Sequence, residues 1–183
     1  MPSHSDAFFV LTGGPGSGKT SLIEALHARG FRTAPEAGRG IIRDQMEIGG
    51  SALPWQDPAL FAELMLAWEL RSWREAHAAA GPVVFDRGVP DTLGYLRLTA
   101  LPVPVHMREA AKRFRYNRRV FIAPPWPEIF TQDSERRQTL DEAWRTHDAM
   151  VEIYAELDYE LVALPLASVE ERADFVTEQI RQD

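Results

Sequence analysis

The chain has 183 residues, 45% of them hydrophobic and 26% charged, which is the composition of one compact domain of mixed secondary structure. Twenty basic residues against 27 acidic ones leave a net charge of −7, which argues against a surface built to coat nucleic acid or an anionic membrane. Cysteine is absent, so disulfide frameworks, thiol nucleophiles and Cys-ligated metal centres are excluded.

The opening segment MPSHSDAFFVLTGG has no basic stretch before an apolar run, and no run approaches the ~18 apolar residues that a bilayer span needs. A cytoplasmic, non-membrane protein is expected. In chain order, apolar runs rich in β-branched or aromatic residues recur as AFFVLTG (7–13), FRTAPE (31–36), VVFDRG (83–88), RVFIAP (119–124) and YELVALP (159–165). Helical spacing fills the intervals. The first helix is expected near Gly18, with Leu22, Ile23 and Leu26 on one face and a stop at Gly30. A longer one opens at Asp57-Pro58, an N-cap followed by proline, and carries Phe61, Leu64, Met65 and Trp68 on one face. Thr139–Glu142 and Ser168–Glu171 read as capping boxes for two last helices. Strands alternating with helices imply parallel strands joined by right-handed crossovers, hence an α/β three-layer αβα sandwich with its ligand site beyond the carboxyl ends of the strands.

Residues 13–20 read GGPGSGKT, a full match to G-x-x-x-x-G-K-S/T placed between one strand and one helix. Gly13, Gly14, Gly16 and Gly18 let the backbone turn tightly around Pro15, and the N–H groups of Gly14, Ser17 and the first helical residues Thr20 and Ser21 then frame an anion-sized hollow at a helix N-terminus. Lys19, one of only two lysines among the 20 basic residues, supplies a point charge for the outer phosphates of ATP. Thr20 offers a hydroxyl to Mg²⁺.

Two residue groups narrow the kind of P-loop protein. A small GTPase reads guanine with Asn-Lys-x-Asp, but Asn117 is the only asparagine and Arg118 follows it. Ring-forming motors usually end the Walker B strand in Asp-Glu, whereas this strand ends in Asp86-Arg87-Gly88. Asp86 can hold Mg²⁺ or accept a proton, and Arg87 can clamp an acceptor or the moving phosphoryl group. This pair resembles the Asp/Glu-Arg-Ser/Tyr motif of nucleoside, deoxynucleoside and thymidylate kinases. Glu36, at the end of the second strand and followed by Arg39 and Arg43, resembles the general base of nucleoside kinases; the plainer role is a helix cap. Such enzymes close a lid over the triphosphate, and PPWPEIFTQDSERRQ (124–138) stands in that place, with Arg136 and Arg137 as lid arginines.

Other features point less sharply. Arg108, Lys112, Arg115 and Arg119 fall on one helical face, which reads best as a solvated surface. Trp55, Trp68 and Trp73 lie in or beside the helix that would roof the acceptor, and core packing is the favoured role for them. The five histidines show no ligand spacing, so no metal site beyond the Mg²⁺ of the nucleotide is expected.

With the P-loop, PEAGRG, FDRGVPDTLGYL and PPWPEIFTQDSERRQT together, nearly the whole chain resembles a family of small stand-alone bacterial ATPases. These are classed as an AAA-type domain related to the kinase domain of nicotinamide riboside kinase-like proteins, with some relatives labelled as nucleotide or cytidylate kinases. The resemblance implies a kinase-type P-loop fold over residues 1–183, a five-stranded parallel sheet ordered 2-3-1-4-5, and use of ATP and Mg²⁺. Two functions follow as expectations. One is a kinase that phosphorylates a nucleoside- or nucleotide-like small molecule, with Glu36 or Asp86 as base and Lys19, Arg87, Arg136 and Arg137 stabilising charge. The other is a nucleotide-dependent switch that hydrolyses ATP or GTP slowly while its surface meets a protein or lipid.

Overall fold

The run FFVLTG is buried at every position, so no face is left for water and the segment can only be the centre of a sheet covered on both sides. It forms β1 (Phe8–Gly13) in a computed structural model that describes residues 6–78, 80–130 and 139–182. The chain continues through α1 (Lys19–Ala28), β2 (Arg32–Ala34), α2 (Ala37–Ile48), α3 (Pro58–His77), β3 (Val83–Asp86) and α4 (Val89–Leu98). It is completed by α5 (Val105–Arg113), β4 (Arg119–Ala123), a short 3-10 turn (Pro127–Ile129), α6 (Leu140–Glu156), β5 (Glu160–Ala163) and α7 (Val169–Arg181). All strand pairings are parallel, in the order β2-β3-β1-β4-β5, with Val10 opposite both Phe85 and Val120. This is the sheet that the resemblance implied.

Because side chains alternate across a strand, β1 feeds two cores. Phe8 and Val10 join Phe85, Val120 and Ile122 under α3, α4, α5 and α6, where Leu66, Leu93, Met107 and Ile153 are buried. Phe9 and Leu11 point the other way, with Val84 and Phe121, onto Leu22 and Leu26 of α1 and Val176 of α7. Burial of each large side chain contributes roughly 1.5–3 kcal/mol over exposure. A smaller cluster, Ala37, Ile41, Phe61 and Met65, ties α2 to α3.

The helix starts follow the sequence signals. Asp57 accepts from Leu60 N at 3.0 Å ahead of Pro58. Thr139 and Glu142 cap each other's backbone N–H at 3.2 and 2.6 Å, and Ser168 and Glu171 do so at 3.3 and 2.9 Å. One expectation is corrected. The basic stretch is not one helical face, because α5 stops at Arg113. Asn117 hooks the following segment to the start of β1: its N–H donates to Phe8 O at 2.6 Å and its side chain to Asp6 O at 2.7 Å. Arg115 is thereby turned over the Tyr159 ring at 3.8 Å, and Arg119 enters β4 and donates to Gln179 O at 2.7 Å. The order β2-β3-β1 sets three strand ends side by side, with Leu11 paired to Asp86 and Ala34 to Phe85, and it is there that the chemistry-bearing residues collect.

Candidate nucleotide and acceptor site

The loop after β1 is held by its own short bonds. Ser17 Oγ donates to Gly14 O at 2.8 Å, and Lys19 Nζ folds back to donate to the same carbonyl and to Ser17 Oγ, the latter at 3.1 Å. Gly13 has φ +132°, and a Cβ there would run into the carbonyl oxygen of Ala123 on β4. Gly13→Ala is therefore expected to cost about 1–3 kcal/mol, read as a lowered melting temperature; an unchanged melt would contradict this packing. Gly18, at φ +78°, precedes α1, whose first turn carries Thr20 and Ser21 in the open, while Pro15 is half-buried. Two outside residues brace the loop. Arg172 of α7, almost wholly buried, donates to Ser17 O at 3.0 Å, and the ring of Phe130 covers Gly16. Burial pulls Lys19 down to about 7, the charge of Arg87 adds to this, and Asp86 and Glu36 oppose it.

At the end of β3 the chain turns sharply. Arg87 has φ +74°, a left-handed conformation that a non-glycine residue adopts only under constraint, and its N–H donates to Leu11 O at 3.0 Å. Its guanidinium lies between two carboxylates, donating to Asp91 Oδ1 at 3.2 Å and meeting Glu36 Oε1 at 3.4 Å. Burial works against the charged guanidinium, yet Glu36, Asp91 and Asp86 raise its pKa above the ordinary value. Glu36 occupies the N-cap position of α2 without making a capping bond; its second oxygen meets Arg39 at 3.4 Å. Burial would raise the Glu36 carboxyl, but Arg87, Lys19 and Arg39 outweigh it and hold the group below its ordinary value. Asp86 behaves oppositely, pushed up by burial and then by Glu36. Its Oδ1 is buried and has no hydrogen-bond partner.

The structure thus brings Lys19, Glu36, Asp86 and Arg87 into one electrostatic cluster. Arg136 and Arg137 lie outside the described residues, as does most of the span assigned to the lid. Trp73 is a core residue that donates to Arg115 O at 2.9 Å, Trp68 packs over Gly40, and Trp55 is exposed. Among the described residues no three His, Asp or Glu side chains form a metal cluster. The donor set nevertheless suits a nucleotide-borne Mg²⁺, since it offers one buried carboxylate oxygen without a partner and an exposed hydroxyl at the first turn of α1.

Asp91 and Glu69 were missed by the sequence reading. Asp91 is buried on the first turn of α4, where it also accepts from Thr12 Oγ1, from Gly88 N at 2.9 Å and from Tyr154 Oη at 2.6 Å. Its spacing of four from Arg87 was a usable signal. Glu69 interrupts the buried stripe Phe61, Met65, Trp73 of α3, and a charge at that spacing was the trace it left.

A sequence profile of the AAA domain family matches residues 8–172, so the chain belongs to that family. No curated protein sequence matches it. Among solved structures, a deoxyadenosine kinase from M. mycoides with bound dATP superposes with a TM-score of 0.67 at 11% identity, covering 95% of this chain and 99% of that one. A thymidylate kinase from Ehrlichia chaffeensis gives 0.65 at 14% identity over 98% and 100% of the two chains. Shikimate kinase from Acinetobacter baumannii in complex with shikimate gives 0.54 at 15% identity over 100% and 94%. At these identities the likeness is one of fold. Among the described residues no helix is long and apolar enough to cross a membrane.

Proposed function

We propose that this member of the AAA domain family is a phosphotransferase, one domain over residues 1–183, that moves the γ-phosphoryl of ATP to a small-molecule acceptor. The observation that carries this reading is the ion bridge Glu36–Arg87–Asp91 standing beside Lys19 at the strand ends. A switch that only holds a nucleotide has less use for a carboxylate kept ionised next to a strained arginine.

The loop amides and the N-terminus of α1 bind the polyphosphate, and Lys19 exchanges Gly14 O for phosphate oxygen. Magnesium, held by Thr20 and Asp86, would supply neutralisation of the phosphate charge. Glu36, ionised, accepts the proton of the attacking hydroxyl, and Arg87 turns its fork from Glu36 toward the transferring group. The solved kinases with this fold support the reading by analogy of shape.

ATP consumption by the purified protein is expected to rise when a suitable nucleoside, nucleotide or other hydroxyl compound is supplied. That stimulation is expected to be lost in Lys19→Ala and Glu36→Gln. Slow turnover indifferent to every acceptor would favour the switch.

A further inference from the structure

The acceptor side of this site holds polar groups that the fold buries and leaves unused. Glu69, on α3, is only 4% exposed and has no hydrogen bond or ion pair among the described residues. It lies on the buried face of α3, one turn after Met65 and one before Trp73; burial pushes its carboxyl well above the ordinary value, and Asp91, Asp86 and Glu36 push in the same direction. On the facing helix α4, Thr92 Oγ1 and Tyr95 Oη are buried and without partners, three residues apart and so on one face. The Tyr95 ring meets Phe61 of α3 with ring centroids 5.3 Å apart, so that face looks toward α3. Buried polar groups are ordinarily paired, and leaving them unpaired is a cost that a bound ligand removes.

The charges set the sign of that ligand. Among the described residues the cations of this cluster are already engaged, Arg87 by Glu36 and Asp91, Arg39 by Glu36, and Lys19 by the phosphate loop. Glu36, Asp86 and Asp91 already stand against them, and the Glu69 carboxyl, favoured in its neutral form, adds no cation, so no described positive group is left to receive a second phosphate from this side.

We propose that Glu69, with the hydroxyls of Thr92 and Tyr95, forms the acceptor-recognition subsite, and that the acceptor is a neutral or cationic compound rich in hydroxyl or amino groups that carries no phosphate. The inference rests on the phosphotransferase reading above. In the step it implies, the acceptor oxygen forms a bond to the γ-phosphorus while the bond from that phosphorus to the β,γ-bridging oxygen breaks. The hydroxyl proton passes to Glu36, leaving ADP and a phosphomonoester. Glu69 does none of this chemistry; it accepts from a hydroxyl or amine of the acceptor, or donates to it when protonated, and so orients the attacking oxygen.

The test compares initial rates for nucleosides, sugars and amino alcohols with rates for the same compounds carrying a phosphate, at saturating magnesium ATP, in the wild-type chain and in Glu69→Leu and Glu69→Gln. Unphosphorylated acceptors are expected to win in kcat/KM. Glu69→Leu is expected to raise the acceptor KM by about 10- to 100-fold, with Glu69→Gln in between, while calorimetric affinity for magnesium ATP stays within about twofold. Both variants are expected to melt a few degrees above the wild type. The folded carboxyl has a raised pKa, so its penalty is absent below the unfolded value and grows as pH rises; the melting gap therefore widens from pH 5 to pH 8. A preference for phosphorylated acceptors, or an unchanged acceptor KM in a folded Glu69→Leu, overturns the subsite while leaving the kinase standing. If neither kind of acceptor raises ATP consumption, the phosphotransferase reading falls and takes the subsite with it.

Discussion

Binding of magnesium ATP at pH 8 is expected to draw close to one proton from solution, and Lys19→Ala is expected to abolish both that uptake and most of the transfer rate. The sign follows from the free protein, in which burial and then the charge of Arg87 lower Lys19 to about 7, so that above this pH the amine is mostly neutral. A polyphosphate restores the ammonium form, and the proton must come from the buffer. Below pH 6 the group is already charged and uptake falls toward zero; affinity accordingly weakens as pH rises through 7. Calorimetry in two buffers of unlike ionisation heat reads the proton directly. Equal heats at pH 8 would refute the assignment. Loss of one preorganised cation at the phosphates costs roughly 10²–10³ in rate, which single-turnover kinetics of Lys19→Ala would show.

Asp91→Ala is expected to be the most damaging exchange for stability. Asp91 is 2% exposed and receives the Thr12 hydroxyl, the Arg87 guanidinium, the Gly88 amide and the Tyr154 hydroxyl. Removing it strands those donors in the core and leaves a buried guanidinium with Glu36 alone, a loss of about 3–5 kcal/mol. For a chain of this length that is about 6–20 °C of melting temperature. Asp91→Asn keeps an acceptor and loses the charge, so it is expected to melt between the two. Activity should fall in both, since Arg87 is held in its strained turn partly by this pair. A melt within about 2 °C of wild type for Asp91→Ala would refute the account.

The parts of the site that were legible are those whose chemistry is local. The GGPGSGKT loop carries its geometry within eight consecutive residues, and Glu36 and Asp86-Arg87 announced themselves as charges at the ends of apolar runs. Strand order was available only through the family resemblance, because parallel strands pair at long range and leave no mark on spacing. Asp91, Glu69 and Arg172 left at most a faint trace as site residues, for a related reason. A carboxylate in the first turn of α4 reads as an ordinary dipole partner until Thr12, 79 positions away, is seen to donate to it. The basic stretch misled because helical periodicity runs on through Arg115 and Arg119 on paper, whereas the Asn117 hook cuts the helix at Arg113. Of the tryptophans expected to pack in the core, Trp73 does so, closing the core end of α3, and Trp68 packs over Gly40, whereas Trp55 is exposed.

The brace from Arg172 to Ser17 O links positions 155 apart. Synthesis delivers the glycine-rich turn 155 residues before this brace, so the loop waits, half-supported, while everything between them is made. The final geometry of the loop therefore depends on α7 being in place.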